Sequence, residues 1–158
     1  MRGGIALCFA VLCAALAEGK VYTKCGLTQE LLKKGFSRSL VGNWVCLIES
    51  ESGKDTSKQV TKANGSKSLG LFQINSKEWC QFGTPGGKCR MKCEDLLNDN
   101  ITDDAACAQK VHSEVGFKAW DGWTRSCYGR TYPSTIASAC IPAPSPQKTS
   151  SFKSLFFI

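Results

Sequence analysis

The cysteines constrain the fold of this chain more than any other residue type. Ten cysteines occur in 158 residues, and two of them, Cys8 and Cys13, lie in an apolar N-terminal run. The eight that follow form an even set, which in a small exported protein indicates four disulfide bonds. A zinc site is the competing interpretation, but Cys-x-x-Cys ligand pairs are absent and His112 is the only histidine. Spacing alone leaves on the order of a hundred pairings open.

The N-terminus has the pattern of a secretory signal peptide. A basic residue, Arg2, precedes an apolar run over residues 5–16, and small residues follow. The run is too short to span a membrane, and its terminal position fits a short buried helix poorly. We therefore predict a signal peptide over residues 1–19, cleaved after Ala17 or Gly19, and a secreted, extracellular protein.

Length and charge limit the functions of the remaining chain. It suits one hydrophobic core in one or two lobes. The formal net charge of +7 favours anionic surfaces such as bacterial envelopes, although many secreted proteins are basic. The sequence has no nucleic-acid-binding motif and no predicted membrane span. Residues 141–158 are rich in Pro and Ser, which predicts a disordered C-terminal tail.

One predicted helix carries a candidate catalytic acid. The helix covers residues 43–52 and ends at Gly53. Three apolar residues and one acid share a face of it at positions i, i+3, i+4 and i+7, namely Trp44, Leu47, Ile48 and Glu51. A carboxyl group at the end of an apolar stripe is partly desolvated, which favours its protonated form. A general acid requires that form.

Other local signals predict an α+β chain. A helix is expected over 28–34 with Thr28 as its N-cap, and another over 103–114 with Thr102 as its N-cap. The Asn64-Gly65 dipeptide predicts a tight hairpin turn, followed by a strand over 71–74. A short helix is expected around the two tryptophans that precede Cys127, Trp120 and Trp123.

Several motifs together resemble the c-type lysozyme and α-lactalbumin family. They are Cys89-x3-Cys93-x2-Leu96-x3-Asn100-Ile101-x5-Cys107, Trp44-Val45-Cys46, Gly70-Leu71-Phe72-Gln73-Ile74-Asn75 and Ala119-Trp120-x2-Trp123. The resemblance covers a domain at residues 20–140. It implies an α+β lysozyme fold, in which a helical lobe and a small antiparallel sheet lobe flank a cleft for β-1,4-linked amino sugars. It also implies the disulfides Cys25–Cys140, Cys46–Cys127, Cys80–Cys93 and Cys89–Cys107.

The resemblance assigns roles in that cleft, and one assignment departs from the family pattern. Glu51 matches the general acid, and Trp120 matches the tryptophan that packs against it. Ser68 stands where active members carry a second carboxylate. The implied substrate-binding residues are Gln73, Asn75, Trp79 and Trp120. For Gln73 and Asn75, structural hydrogen bonding within a turn is the alternative interpretation.

A second resemblance concerns calcium. Asp95, Asn98, Asn100, Asp103 and Asp104 resemble the calcium loop of α-lactalbumin and of calcium-binding lysozymes, with Asn98 in place of an aspartate. Fewer charged ligands weaken calcium binding, and acids at a helix N-terminus explain Asp103 and Asp104 without a metal. The family requires no cofactor for hydrolysis, so calcium is the one cofactor considered. Asn64 and Asn100 begin glycosylation acceptor triplets.

Three functions are consistent with these residues. The one we favour is a monomeric, secreted defence protein that binds peptidoglycan or a chitin-like oligosaccharide, with weak or lost muramidase activity. The first alternative is a functional lysozyme that uses Glu51 and an activated water. The second is a non-enzymatic regulatory or partner-binding protein like α-lactalbumin.

Overall fold

The structure is a computed structural model that describes residues 19–131 and 139–140. Residues 1–18 of the predicted signal peptide and the predicted tail at 141–158 lie outside the described residues. The described chain forms four α-helices, two 3-10 helices and three strands. In chain order they are α1 (Lys24–Lys33), α2 (Val41–Ser52), β1 (Gln59–Thr61), β2 (Lys67–Leu69), β3 (Ile74–Asn75), a 3-10 helix (Cys93–Leu97), α3 (Thr102–Val115), a 3-10 helix (Phe117–Ala119) and α4 (Asp121–Ser126).

Helix α1 begins earlier than the sequence pattern predicts. Its N-cap is Thr23, whose Oγ1 accepts a hydrogen bond from the Gly26 amide at 3.1 Å. Thr28 is wrong as the N-cap because it is fully buried inside the helix, where its hydroxyl donates to the Lys24 carbonyl. Both threonines have a local acceptor or donor within reach, so the sequence alone does not distinguish a cap from a hydroxyl bonded within the helix.

The cap at Thr23 gives a first testable prediction. Replacing Thr23 with alanine leaves the Gly26 amide without its side-chain acceptor, and we expect the free energy of unfolding to fall by about 1 kcal/mol. Urea denaturation followed by circular dichroism measures this change. Thr23→Ser keeps the hydroxyl and is the matched control. Equal losses for the two variants would contradict the capping role.

Helix α2 carries the predicted acid and confirms its predicted C-terminal end. It ends at Gly53, which adopts a left-handed conformation with φ 65°. Leu47 and Ile48 are fully buried, whereas Glu51, on the same face, is half-buried. The apolar stripe therefore fixes the helix against the core and leaves the acid at the edge of that core.

The sheet lobe is a three-stranded antiparallel sheet in the order β1-β2-β3. The Asn64-Gly65 turn is confirmed, with Gly65 at φ 80° and the Asn64 side chain accepting from the Ser66 amide at 3.0 Å. The strand predicted over 71–74 is wrong for most of its length. The chain turns there, since Gly70 and Gln73 have φ of 71° and 51° and the Gln73 amide donates to the Gly70 carbonyl.

Aromatic packing and disulfides join the elements around the core. The Trp44 ring lies 4.9 Å from the Phe36 ring, 4.9 Å from the Phe117 ring and 5.6 Å from the Trp120 ring, all edge to face. The four disulfides are the pairs that the resemblance implied, Cys25–Cys140, Cys46–Cys127, Cys80–Cys93 and Cys89–Cys107. Helices and sheet are thereby held as the two sides of one cleft.

Candidate active-site cleft

A cleft with about 470 Å³ of empty space lies between the helices and the sheet. Its lining comes from α2, the sheet lobe, α3 and the start of α4. The lining residues are Glu51, Lys62, Ser68, Gln73, Ile74, Asn75, Trp79, Val111, Ala119, Trp120 and Asp121. All six residues that the resemblance assigned to catalysis or substrate binding are therefore in one cleft.

Glu51 is positioned by α2 and by the first turn of α4. Its Oε1 accepts a hydrogen bond from the Gly122 amide at 2.5 Å. A Cβ atom added at Gly122 would lie 2.6 Å from the same oxygen, so the α4 backbone packs directly on the carboxyl group. This contact fixes the direction in which the carboxyl group faces the cleft.

Ser68 lines the same cleft as Glu51, from the sheet side. It is the middle residue of β2, pairs with Val60 on β1 and Asn75 on β3, and is only 4% exposed. Its hydroxyl is neutral. The sheet wall of the cleft therefore presents no carboxylate at this position.

Gln73 and Asn75 make hydrogen bonds inside the protein. The Gln73 amide nitrogen donates to the carbonyls of Lys58 and Gly70 at 2.9 and 2.8 Å. Asn75 donates to the Ser66 hydroxyl and accepts from the Lys77 amide. Structural hydrogen bonding thus accounts for the position of both side chains. Both also line the cleft, where their oxygens have lone pairs left to accept a hydrogen bond from a ligand.

The two cleft tryptophans are mostly covered. Trp120 is 4% exposed, and its indole nitrogen donates to the Phe72 carbonyl at 2.7 Å. Trp79 is 6% exposed. Trp120 belongs to the aromatic packing around Trp44 as well as to the cleft, so one wall of the cleft is also a wall of the core.

Two further ionisable residues line the cleft. Lys62 follows β1, and Asp121 is the first residue of α4 and is exposed. Sequence reasoning missed Asp121, although its position directly after a predicted cleft tryptophan was a usable signal. Asp55, an acid shortly before β1 in the sequence, does not line the cleft. It accepts hydrogen bonds from the amide and the hydroxyl of Ser57.

The predicted calcium residues do not form a recognisable metal site as they are arranged. Among the described residues, no three acidic, histidine or cysteine side chains are grouped to hold a metal. The Asn98 side-chain oxygen Oδ1 accepts from the Asn100 backbone amide, and the Asn100 Oδ1 accepts from the Thr102 hydroxyl. These oxygens stabilise the turn before α3, so we assign no step and no structural role to calcium.

Asp104 is the exception in this region because its carboxyl group is buried. It is 1% exposed, and its Oδ2 has no hydrogen-bond partner among the described residues. Burial, together with the negative charges of Asp103 and Asp95, raises the pKa of Asp104 to about 8. The group is therefore protonated at neutral pH in the folded protein.

Comparison with known proteins identifies the family. Residues 20–137 match the model of the C-type lysozyme/alpha-lactalbumin family. This chain belongs to that family. It is 51% identical over 130 residues to a lysozyme of Bombyx mori, covering 82% of this chain and 94% of that protein. It is 42% identical over 131 residues to lysozyme c-1 of Anopheles gambiae, covering 83% of this chain and 92% of that protein.

A solved member of the C-type lysozyme family has the same fold. A calcium-binding lysozyme from equine milk superposes with a TM-score of 0.67 at 35% identity, covering 75% of this chain and 98% of that chain. Some members of the family therefore bind calcium. No helix among the described residues is long and apolar enough to cross a membrane. The four disulfides are consistent with an extracellular member of the family.

Proposed function

We propose that this protein is a secreted member of the C-type lysozyme family that binds β-1,4-linked amino-sugar polymers and has weak or lost muramidase activity. One observation carries the proposal. The cleft keeps the acid Glu51 on its helical side but has the neutral Ser68 on its sheet side. Binding requires the shape of the cleft, whereas rapid hydrolysis also requires the second charge.

The chemistry of glycoside hydrolysis explains why the second charge matters. A retaining enzyme uses one carboxylic acid to protonate the leaving oxygen and one carboxylate to stabilise and then bond the positive sugar carbon. Glu51 has the first role in this proposal. The Ser68 hydroxyl has no charge with which to stabilise the sugar cation, and a hydroxyl without an adjacent base is a weak nucleophile.

Asp121 does not take over the second role directly. It belongs to α4, whose backbone contacts Glu51, so it is attached to the helical side of the cleft and not to the strand that carries Ser68. In inverting enzymes the carboxylate that activates the water lies on the opposite face of the sugar from the acid, about 6.5–9.5 Å away. A carboxylate on the same side as Glu51 does not have that position.

The retained acid Glu51 supports one alternative function, slow hydrolysis in which Glu51 protonates the leaving oxygen and a water attacks the sugar. The α-lactalbumin-like alternative has less support, because the predicted calcium residues are not assembled. In the proposed function the protein acts outside the cell as a monomer on bacterial peptidoglycan or chitin-like oligosaccharide, and residues 1–19 are the signal that exports it.

Binding without catalysis predicts that Glu51→Gln leaves glycan affinity nearly unchanged. The substitution keeps the size of the side chain and removes its acidity, so we expect the dissociation constant for chitin oligomers to change by less than about threefold. Isothermal titration measures the affinity, and release of reducing sugar from peptidoglycan measures hydrolysis. Chitin oligomers are neutral, so the positive charge of the protein does not produce the binding.

Glu30→Gln, on α1 and away from the cleft, is the matched control for loss of one carboxylate. If the native protein hydrolyses peptidoglycan and only Glu51→Gln stops it, the slow enzyme is the correct function. If neither the native protein nor Glu51→Gln binds chitin oligomers, the proposed function is wrong.

A further inference from the structure

The cleft continues outward past Trp79 into a second hollow. This outer cleft is lined by Asn64, Asn75, Lys77, Glu78, Trp79, Val115 and Ala119. Trp79, Asn75 and Ala119 line both this outer cleft and the inner cleft, which contains Glu51. A long glycan that extends out of the inner cleft would therefore pass Trp79. Yet Trp79 is only 6% exposed. Some group must move before its ring can stack against a sugar.

Lys88 is a flexible residue whose ammonium lies over the Trp79 ring. Its Nζ lies 4.7 Å from the centroid of the Trp79 ring, a distance at which an ammonium is attracted to an aromatic face. The backbone holds the two residues together, because the Lys88 amide donates to the Glu78 carbonyl and the Cys89 amide donates to the Trp79 carbonyl. The Lys88 side chain itself is 47% exposed, so it can move into solvent when its ion pairs open.

Two carboxylates from different parts of the fold hold the Lys88 ammonium in place. Its Nζ lies 3.5 Å from Glu78, which follows the sheet, and 3.2 Å from Glu114, near the end of α3. Glu114 and, to a smaller extent, Glu78 raise the pKa of Lys88, so the ammonium stays charged at neutral pH. We call Glu78, Lys88 and Glu114 the rim strap.

We propose that Lys88 is a specificity-determining residue that sets how long a glycan the cleft accepts. The inference rests on the proposed glycan-binding function. With the rim strap closed, a short oligosaccharide binds in the inner cleft. A longer one must displace the Lys88 ammonium from Trp79 and from Glu114 on α3. Exposed ion pairs are weak and are screened by salt, so the rim strap opens at modest cost and opens further at high ionic strength.

The test compares a long and a short neutral oligomer. Isothermal titration with the hexamer and the trimer of N-acetylglucosamine is done on the native protein, Lys88→Ala and Lys33→Ala. Lys33 is an exposed lysine on α1 that also pairs with a glutamate, which makes it the matched control. We expect Lys88→Ala to bind the hexamer roughly three- to tenfold more tightly, with little change for the trimer and none for Lys33→Ala.

Salt provides an independent arm of the same test. Raising the salt concentration should strengthen hexamer binding by the native protein and should leave Lys88→Ala unchanged, because only the native protein has ion pairs at the rim to screen. Hexamer affinity that is equal or weaker in Lys88→Ala overturns the proposal. The weaker result would mean that Lys88 contacts the glycan instead of excluding it.

A measurement without any glycan separates this proposal from the proposed function. Acrylamide quenching of tryptophan fluorescence, with Trp79→Phe variants to isolate the Trp79 signal, should show greater access to Trp79 in Lys88→Ala. Unchanged access overturns the rim strap whatever the binding data show. Increased access with no oligomer bound by any variant refutes the glycan-binding function, and the role of Lys88 in glycan length is refuted with it.

Discussion

Replacing Ser68 with aspartate is expected to raise the rate of peptidoglycan hydrolysis by about 10²–10³-fold, the usual effect of one preorganised electrostatic group. The new carboxylate would lie on β2, across the cleft from Glu51, where it can stabilise the positive sugar carbon and form the covalent intermediate. Release of soluble fragments from purified peptidoglycan measures the rate.

The matched control is Ser68→Asn, because asparagine has nearly the same size as aspartate and carries no charge. Ser68 is 4% exposed, so the aspartate costs about 1–3 kcal/mol of folding stability, and rates should be measured well below the unfolding temperature. Adding Glu51→Gln to Ser68→Asp should remove the gained activity. If Ser68→Asp is no faster than Ser68→Asn, the missing charge is not what limits hydrolysis.

Replacing Asp104 with asparagine is expected to stabilise the protein at neutral pH and to remove part of the dependence of its stability on pH. The pKa of Asp104 is about 8 in the folded protein and about 3.9 in an unfolded chain. Between these values the folded state holds a proton that the unfolded state releases. The free energy of unfolding therefore falls as pH rises from about 4 to about 8 and is level above that range.

The size of the effect follows from the same two pKa values. At pH 7 the burial of Asp104 costs at most about 4 kcal/mol, and asparagine does not ionise. Urea denaturation of both proteins at pH 4.5 and 7.5 should show a larger gain for Asp104→Asn at the higher pH. Asp121→Asn, at an exposed acid, is the control. Parallel pH profiles for the native protein and Asp104→Asn would contradict this account of Asp104.

Calcium can be added in the same denaturation experiment. A calcium ion bound by ionised Asp104 would raise the free energy of unfolding of the native protein at pH 7.5 and would not do so in Asp104→Asn. We expect no such increase, because the Asn98 and Asn100 oxygens already accept hydrogen bonds in the turn before α3.

Sequence patterns predicted two parts of the fold that depend on glycine but placed both N-caps wrongly, since α1 is capped by Thr23 and Thr102 lies inside α3, after the N-cap Ile101. The C-terminal end of α2 followed from Gly53, and the hairpin turn followed from Asn64-Gly65, because each requires a positive φ that glycine adopts easily. The strand over 71–74 was wrong because its apolar residues are buried from all sides by tertiary packing. Leu71 and Phe72 are fully buried in a turn, and burial alone does not distinguish a turn from a strand.

The residues of the site were predictable only in part. Family motifs indicated Glu51 and Ser68 as site residues, and both line the cleft. They did not indicate Asp121, which is an unspecified position of the Ala119-Trp120-x2-Trp123 motif. They also did not indicate Lys88, whose role depends on contacts with Glu78 and Glu114 that are ten and twenty-six residues away in the sequence. Ion pairs of this kind have no local sequence pattern.

The hydrogen bond from Trp120 to the Phe72 carbonyl has a consequence for how such a protein can change over time. Trp120 lines the cleft and also contacts Trp44 in the core. A mutation that destroys this wall therefore also destabilises the folded protein, so selection for folding alone would favour keeping the wall even without catalysis. By contrast, a carboxylate on the wall can be exchanged for a hydroxyl with little effect on packing. Retention of the shape of the cleft is thus weak proof of activity, and the ionisable groups on its walls are the better guide.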